Sequence, residues 1–197
     1  MRRDTGRSHV SPVHPREAEN ILRTSEGAPT LHRDTGSPGH AGSRHLLLSN
    51  DELLGRYARM SEQLVWNNGR RRRREYTLIT AFCTLADMID AAERVLNAAQ
   101  TQAALSDFFQ NTPRAPGMRA EIAYTSDSTY RMRYAQGSEA VRTMPVRDLV
   151  MVLDRADGRP FGLQVQTFFG TLMDIPRNTA TIYMPDGTPH RSHFVPV

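Results

Sequence analysis

Apolar positions along the chain fall into two regimes, helical spacing up to about residue 109 and strand-like alternation after residue 119. Ser49, with Glu52 three residues on, forms a capping box. It opens a helix predicted over 50–66, with Leu53, Leu54, Tyr57, Met60 and Leu64 on its buried face. Asn67-Asn68-Gly69 is expected to stop it, since Asn and Gly tolerate left-handed dihedrals. A β-rich stretch at 76–82 (YTLITAF) follows. Thr84 with Asp87 then caps a long helix predicted to run to about Phe109, its inner stripe being Met88, Ala92, Val95, Leu96, Ala99 and Ala103.

Beyond Arg119 the stretches 119–125 and 129–135 predict a hairpin turning at Ser126-Asp127-Ser128. Residues 146–154 (VRDLVMVLD) predict a central strand. The segment 161–169 alternates Phe161, Leu163, Val165, Thr167 and Phe169, which places all five on one face. Pro185-Asp186-Gly187 joins two final strands, 179–184 and 190–195. Helices first and an antiparallel sheet second define an α+β domain. Residues 1–28 hold one apolar pair, Ile21-Leu22, and are expected to form a disordered arm or linker. That leaves 29–197 as one domain, with 171–197 as a C-terminal hairpin extension.

Composition changes this picture in one respect. The 197 residues carry 25 Lys+Arg against 21 Asp+Glu, a net charge of +4, and every cation is arginine. This fits phosphate recognition and equally fits the codon bias of a GC-rich genome. The run of five arginines from Arg70 to Arg74 reads as a solvated loop, an RNA-contacting patch that includes Arg70, Arg71 and Arg72, or an import-like address. One cysteine, Cys83, excludes an internal disulfide, and its apolar neighbours suit a small buried residue. No apolar run is long enough to span a bilayer, and the N-terminus lacks the apolar core of a Sec signal.

The chemistry-bearing stretch is 31–49, LHRDTGSPGHAGSRHLLLS, with His32, His40, His45 and Arg44 around a Pro/Gly loop. Imidazole exchanges protons near neutral pH, and guanidinium offers a planar fork to phosphate. Each has a plainer reading. His32 and His40 suit a surface loop, His45 a structural hydrogen bond near a helix start, and Arg44 a surface ion pair. Thr167 suits a strand core, Phe169 packing, and Trp66 a core anchor. His190 and His193, with Arg191, lie on the terminal strand as a further source of imidazole. Three histidines could serve zinc, but no ligand spacing pre-forms such a site.

Taken in order, Leu31-His32, Gly39-His40, Arg44-His45, Thr80-Ala81-Phe82, the strand 149–154 and Thr167-Phe168-Phe169 make up a pattern over roughly 30–170. It resembles the RNase A-like toxin domain at the C-termini of bacterial contact-dependent inhibition and polymorphic toxins. Two departures stand out. The family's Leu-x-x-His-Glu segment is shortened here and followed by Arg33-Asp34, and Phe169 replaces the tyrosine of Thr-x-Tyr.

The resemblance implies N-terminal helices packed on a curved antiparallel sheet, as in RNase A. It also implies metal-independent RNA cleavage, in which the 2′-OH attacks phosphorus and leaves a 2′,3′-cyclic phosphate. Acid–base work then falls to His32 or His40, phosphate stabilisation to Arg44 and hydrogen-bond donation to Thr167, with His45 and Phe169 beside the substrate. No cofactor or metal is implied. Expected partners are RNA, with tRNA as one candidate, and an acidic immunity protein; the chain is expected to be a monomer. Delivery into a target cell by a non-Sec route, for action in the cytoplasm, completes the expectation. The alternative is a non-catalytic RNA- or protein-binding module on the same scaffold.

Overall fold

A computed structural model describes residues 12–27, 39, 41–61, 64–67, 70–73, 79–110, 117–135, 140–156, 158–172 and 178–194, with backbone alone at 61, 64–67 and 70–73. His32, His40, Arg74 and the expected turn at Asn68-Gly69 lie outside them. The architecture is α+β. Five helices, α1 (Pro15–Ser25), α2 (Ala41–His45), α3 (Asn50–Ser61), α4 (Leu85–Asn97) and α5 (Ala99–Gln110), precede most of the sheet. The strands are β1 (Leu64–Asn67), β2 (Arg70–Arg73), β3 (Ile79–Phe82), β4 (Arg119–Ala135), β5 (Val141–Arg155), β6 (Leu163–Thr171), β7 (Thr179–Tyr183) and β8 (Pro189–Phe194). The main sheet is antiparallel in the order β6-β5-β4-β7-β8, with β3 also on β4; β1 and β2 form a separate hairpin.

Residues 12–27 correct the disordered-arm expectation for their part of the segment 1–28, the rest of which lies outside the described residues. Ala18, Ile21, Leu22 and Ser25 follow i, i+3, i+4, i+7 spacing on α1 and are buried, with Val13 ahead of them. Small residues completed a stripe in which only Ile21-Leu22 looked apolar. Pro15 starts the helix, and Glu17 accepts from the His14 amide at 2.7 Å. Asn97 then holds the strand-like lead-in, accepting from Val13 N at 2.8 Å and donating to Val13 O at 2.7 Å. The same region breaks the long helix in two: Ala98 is extended (φ −62°, ψ 141°) between α4 and α5.

Both predicted caps form. Glu52 N meets Ser49 Oγ at 3.2 Å while Ser49 N meets Glu52 Oε2 at 2.7 Å, and Asp87 N donates to Thr84 Oγ1 at 3.0 Å. The helix after Ser49 nevertheless ends at Ser61, and Leu64–Asn67 pairs with the arginine run in place of continuing it. Asn-Gly between two extended segments is a hairpin signal as much as a helix stop.

The turn expected at Ser126-Asp127-Ser128 is a bulge inside one seventeen-residue strand. Opposite residues jump from Thr125↔Asp148 to Tyr130↔Val146, so β4 bends sharply without reversing. Polar side chains take up the displaced backbone: Ser126 Oγ accepts from Ser128 N, Arg147 donates to Ser126 O, and Asn178 accepts from Thr125 N. Tyr130 anchors the bend by donating to Asp90 at 2.8 Å. Desolvation, with the Asp90 charge beside it, pushes the Tyr130 phenol up to about 12.

The bend curls the sheet until β3 reaches β6, although β4 and β5 lie between them. Thr80 Oγ1 donates to Gly170 O at 2.6 Å. A Cβ at Gly170 would sit 2.2 Å from Met132 Sδ and 2.9 Å from Val146 Cγ1, so glycine is what lets this crease close. The main core fills the side facing α1, α4 and α5, with Leu149, Met151, Leu153, Leu163, Val165 and Phe168 from β5 and β6. Leu48 and Leu53 pack with Ile79, Ala81 and Ala135 as a second cluster beneath α3. Among the described residues no helix is long and apolar enough to cross a membrane.

Asp154 stands apart on β5. It is 3% exposed, neither carboxylate oxygen has a hydrogen-bond partner among the described residues, and its neighbour Arg119 is engaged with Glu121 at 2.7 Å. Desolvation pushes its carboxyl up to about 6, with Arg119 opposing. A raised carboxyl pKa means that ionisation disfavours the folded state. The penalty is complete above about pH 6 and disappears as pH falls below the unfolded value of 3.8. Asp154→Asn should therefore stabilise the protein by about 2–3 kcal/mol at pH 8, an advantage over wild type that shrinks to almost nothing by about pH 3. Paired urea melts across that range measure it, and a pH-independent difference would refute it.

Candidate functional site

The site forms where the crease brings three segments together, and a miscount in β6 creates it. Leu163↔Arg155, Gln164↔Asp154 and Val165↔Leu153 pair in register; Gln166 is then the extra residue, and pairing resumes at Thr167↔Val152. Strict alternation put Thr167 and Phe169 on the face of Leu163 and Val165. The bulge moves Phe168 into the core and turns Thr167 and Phe169 to the opposite face, both half-buried.

His45, the last residue of α2, meets them there. Its Nδ1 lies 3.1 Å from Thr80 O on β3, and its Nε2 lies 3.1 Å from Thr167 Oγ1 on β6. Its ring stacks on Phe169 with centroids 5.4 Å apart and an interplanar angle of 30°. The Thr80 carbonyl can only accept, so Nδ1 must carry the proton. In the neutral ring Nε2 is then the lone-pair nitrogen, and the Thr167 hydroxyl donates to it. Thr80 is itself fixed by its bond to Gly170 O, so backbone and rotor are both held.

α2 is placed by its own contacts. Glu26, just past α1, accepts from Gly42 N at 2.7 Å and Ser43 N at 3.1 Å. Gly39 presses against the chain, where a Cβ would lie 2.2 Å from Ser25 O and 3.0 Å from Val165 O. Leu47 N donates to Phe82 O at 3.0 Å, tying the helix exit to β3.

Arg44 lies beside His45 on α2 with an exposed side chain, and its carbonyl accepts from the Arg56 guanidinium. Arg70, Arg71 and Arg72 lie on β2, opposite Asn67, Trp66 and Val65, so the described part of the run, Arg70–Arg73, is strand at the backbone and not a loop. His193 is at the far edge of the sheet, where Asp107 takes both it and Arg191 at 2.8 Å. It shares no groove with Thr167. Cys83 is half-buried. Among the described residues no three His, Cys, Asp or Glu side chains converge to hold a metal ion.

The structure thus joins His45, Thr167 and Phe169, with Arg44 next in sequence. Thr80 was missed: it looked like one polar position in a β-rich stretch, and its contribution is a backbone carbonyl, which leaves no trace in residue type. What the cluster can do is proton transfer at a fixed nitrogen, with a hydroxyl donor beside it.

No family model and no curated protein matches this chain. Among solved structures it is similar to one titled "Crystal structure of CdiA-CT/CdiI complex from Y. kristensenii 33638", at 16% identity and TM-score 0.47, over 68% of this chain and 99% of that one. A likeness of that degree carries no inference about activity.

The tautomer has its own readout. In ¹⁵N spectra above the ring's titration, His45 Nδ1 should show the shift of a protonated nitrogen and Nε2 that of an unprotonated one. Thr167→Val should move the Nε2 signal and leave Nδ1 in place. The reverse assignment would mean that the Thr80 contact does not orient the ring.

Proposed function

We propose that this domain is a metal-independent endoribonuclease of the toxin/effector kind, cutting RNA by 2′-OH attack to leave a 2′,3′-cyclic phosphate. The observation that carries this reading is the clamped imidazole: Thr80 O on Nδ1, Thr167 Oγ1 on Nε2 and Phe169 against the ring. It is supported by the ordered resemblance of residues 30–170 to RNase A-like toxin domains.

In this reading His45, and not His32 or His40, takes the proton of the 2′-OH through Nε2. Arg44 supplies a fixed positive charge to the phosphorane oxygens, and the Thr167 hydroxyl, released from Nε2, donates to one of them. His32 or His40 protonates the leaving 5′-oxygen. DNA lacks the nucleophile and is not a substrate. An acidic immunity protein covers the site in the producing cell, and the toxin acts after delivery into another cell.

A second reading, an RNA-binding module without cleavage, is favoured by Phe169. The family's tyrosine would bring a hydroxyl to this place, and phenylalanine brings only a ring to stack on His45 or on a base.

Incubation with tRNA in EDTA separates the two. Cleavage that persists without metal and ends in a cyclic phosphate is expected. His45→Ala should then lower the rate by roughly 10²–10⁴-fold, with circular dichroism confirming the fold. Thr167→Val should lower it less, and Phe169→Tyr should raise it. Binding without cleavage, indifferent to His45→Ala, would leave the second reading.

A further inference from the structure

Three arginines lie around the α2–α3 junction without the carboxylate partner that some arginines of the fold have. Arg94 pairs with Asp90, Arg119 with Glu121 and Arg191 with Asp107. Among the described residues no carboxylate pairs with Arg44, Arg56 or Arg59. Arg56 is half-buried, and one of its guanidinium nitrogens donates to the Arg44 carbonyl. Arg59, three residues on, shares its helix face. The natural i, i+4 acid for Arg56 is Glu52, but that carboxylate is turned back onto the Ser49 amide at 2.7 Å.

The charges are felt. Burial first, then the like charges of Arg44 and Arg59, push Arg56 down to about 10. Three cations held within range of one another, one of them partly desolvated, are costly until an anion joins them. Guanidinium forks favour planar, multi-oxygen anions. Arg44 directly precedes His45 in α2, and the Arg56 guanidinium donates to its carbonyl, so the cluster adjoins the segment that carries the imidazole.

We propose that Arg56 and Arg59, beside Arg44, form a phosphate subsite that grips a non-scissile phosphate of the RNA strand, next to the scissile one that Arg44 attends. Its assignment to RNA rests on the nuclease reading; the anion site rests on the arginines alone. The strand passes from His45 and Thr167 over α2 and onto the first turns of α3. Arg56 has a second duty there, since its bond to the Arg44 carbonyl positions the residue next to the base.

A single-stranded DNA oligonucleotide, which cannot be cleaved by this chemistry, is the probe. Its affinity is measured over a salt series for wild type, Arg56→Gln, Arg59→Gln and the double variant, with Arg16→Gln on the exposed face of α1 as control. Each lost phosphate contact should flatten the slope of log K against log salt by about 0.7, and Arg16→Gln should leave it alone. Arg59 is exposed, so Arg59→Gln keeps the test valid if Arg56→Gln unfolds; thermal melts decide that. Slopes unchanged in both variants would overturn the subsite, whether or not the wild type cuts tRNA. Flattened slopes with no tRNA cleavage would leave the subsite standing and sink the nuclease reading. Unchanged slopes with weakened binding of an acidic protein would assign the patch to a protein partner and overturn the proposal.

Discussion

One extra residue in one strand sets the character of this molecule. Gln166 is the extra residue in the β5–β6 register, and the side chains after it change sides. Without that bulge Thr167 and Phe169 would point at α1 and α4, while Phe168 would stand in the cleft. With it, Phe168 joins Phe82 in the core at 5.2 Å between ring centroids, and the hydroxyl and the second ring face His45. The apolar interior and the polar site are therefore two consequences of a single irregularity. Neither can be altered by shifting register without undoing the other.

The curl of the sheet is the companion constraint. A flat sheet would keep β3 and β6 apart by two strands, and no one imidazole could touch both. The bulge in β4 bends the sheet, Gly170 gives up its side chain so that Met132 can lie against the crease, and Thr80 closes it with a buried hydrogen bond. His45 spans the closed crease with one nitrogen on each side. Its position is set by sheet geometry and not by the flexibility of α2. Burial of the ring makes both of its hydrogen bonds matter, because a buried nitrogen without a partner is expensive.

Much of the fold was legible in the residues, and the failures share one cause. Caps at Ser49 and Thr84 were readable because each is local, a side chain and an amide three residues apart. Strands β5 and β7 were readable from β-branched and apolar runs. The departures all involve a residue whose role is decided by a distant element. Ser126-Asp127-Ser128 has turn chemistry, yet Tyr130 and Arg147 turn it into a bulge. Ala18 and Ser25 look neutral until α4 and β6 give them something to pack against; Val165 N donates to Ser25 Oγ at 2.8 Å. Alternation in β6 read Thr167 and Phe169 correctly as companions but put them on the wrong face, since a bulge leaves no mark on residue type. His45 followed the same logic. Its position ahead of Leu46-Leu47-Leu48 suggested a structural hydrogen bond, and it does make one, to Thr80. That bond is what frees its other nitrogen for chemistry.

Phenylalanine at position 169 keeps the stacking surface against His45 and supplies no hydroxyl. The donor work then concentrates on Thr167, whose place depends on the register change at Gln166. The same face carries Asp154, two residues along β5 from Val152, the partner of Thr167. Across from it on β4, Arg119 is engaged with Glu121, so the strand that shapes the site also holds an acid whose ionisation the fold opposes.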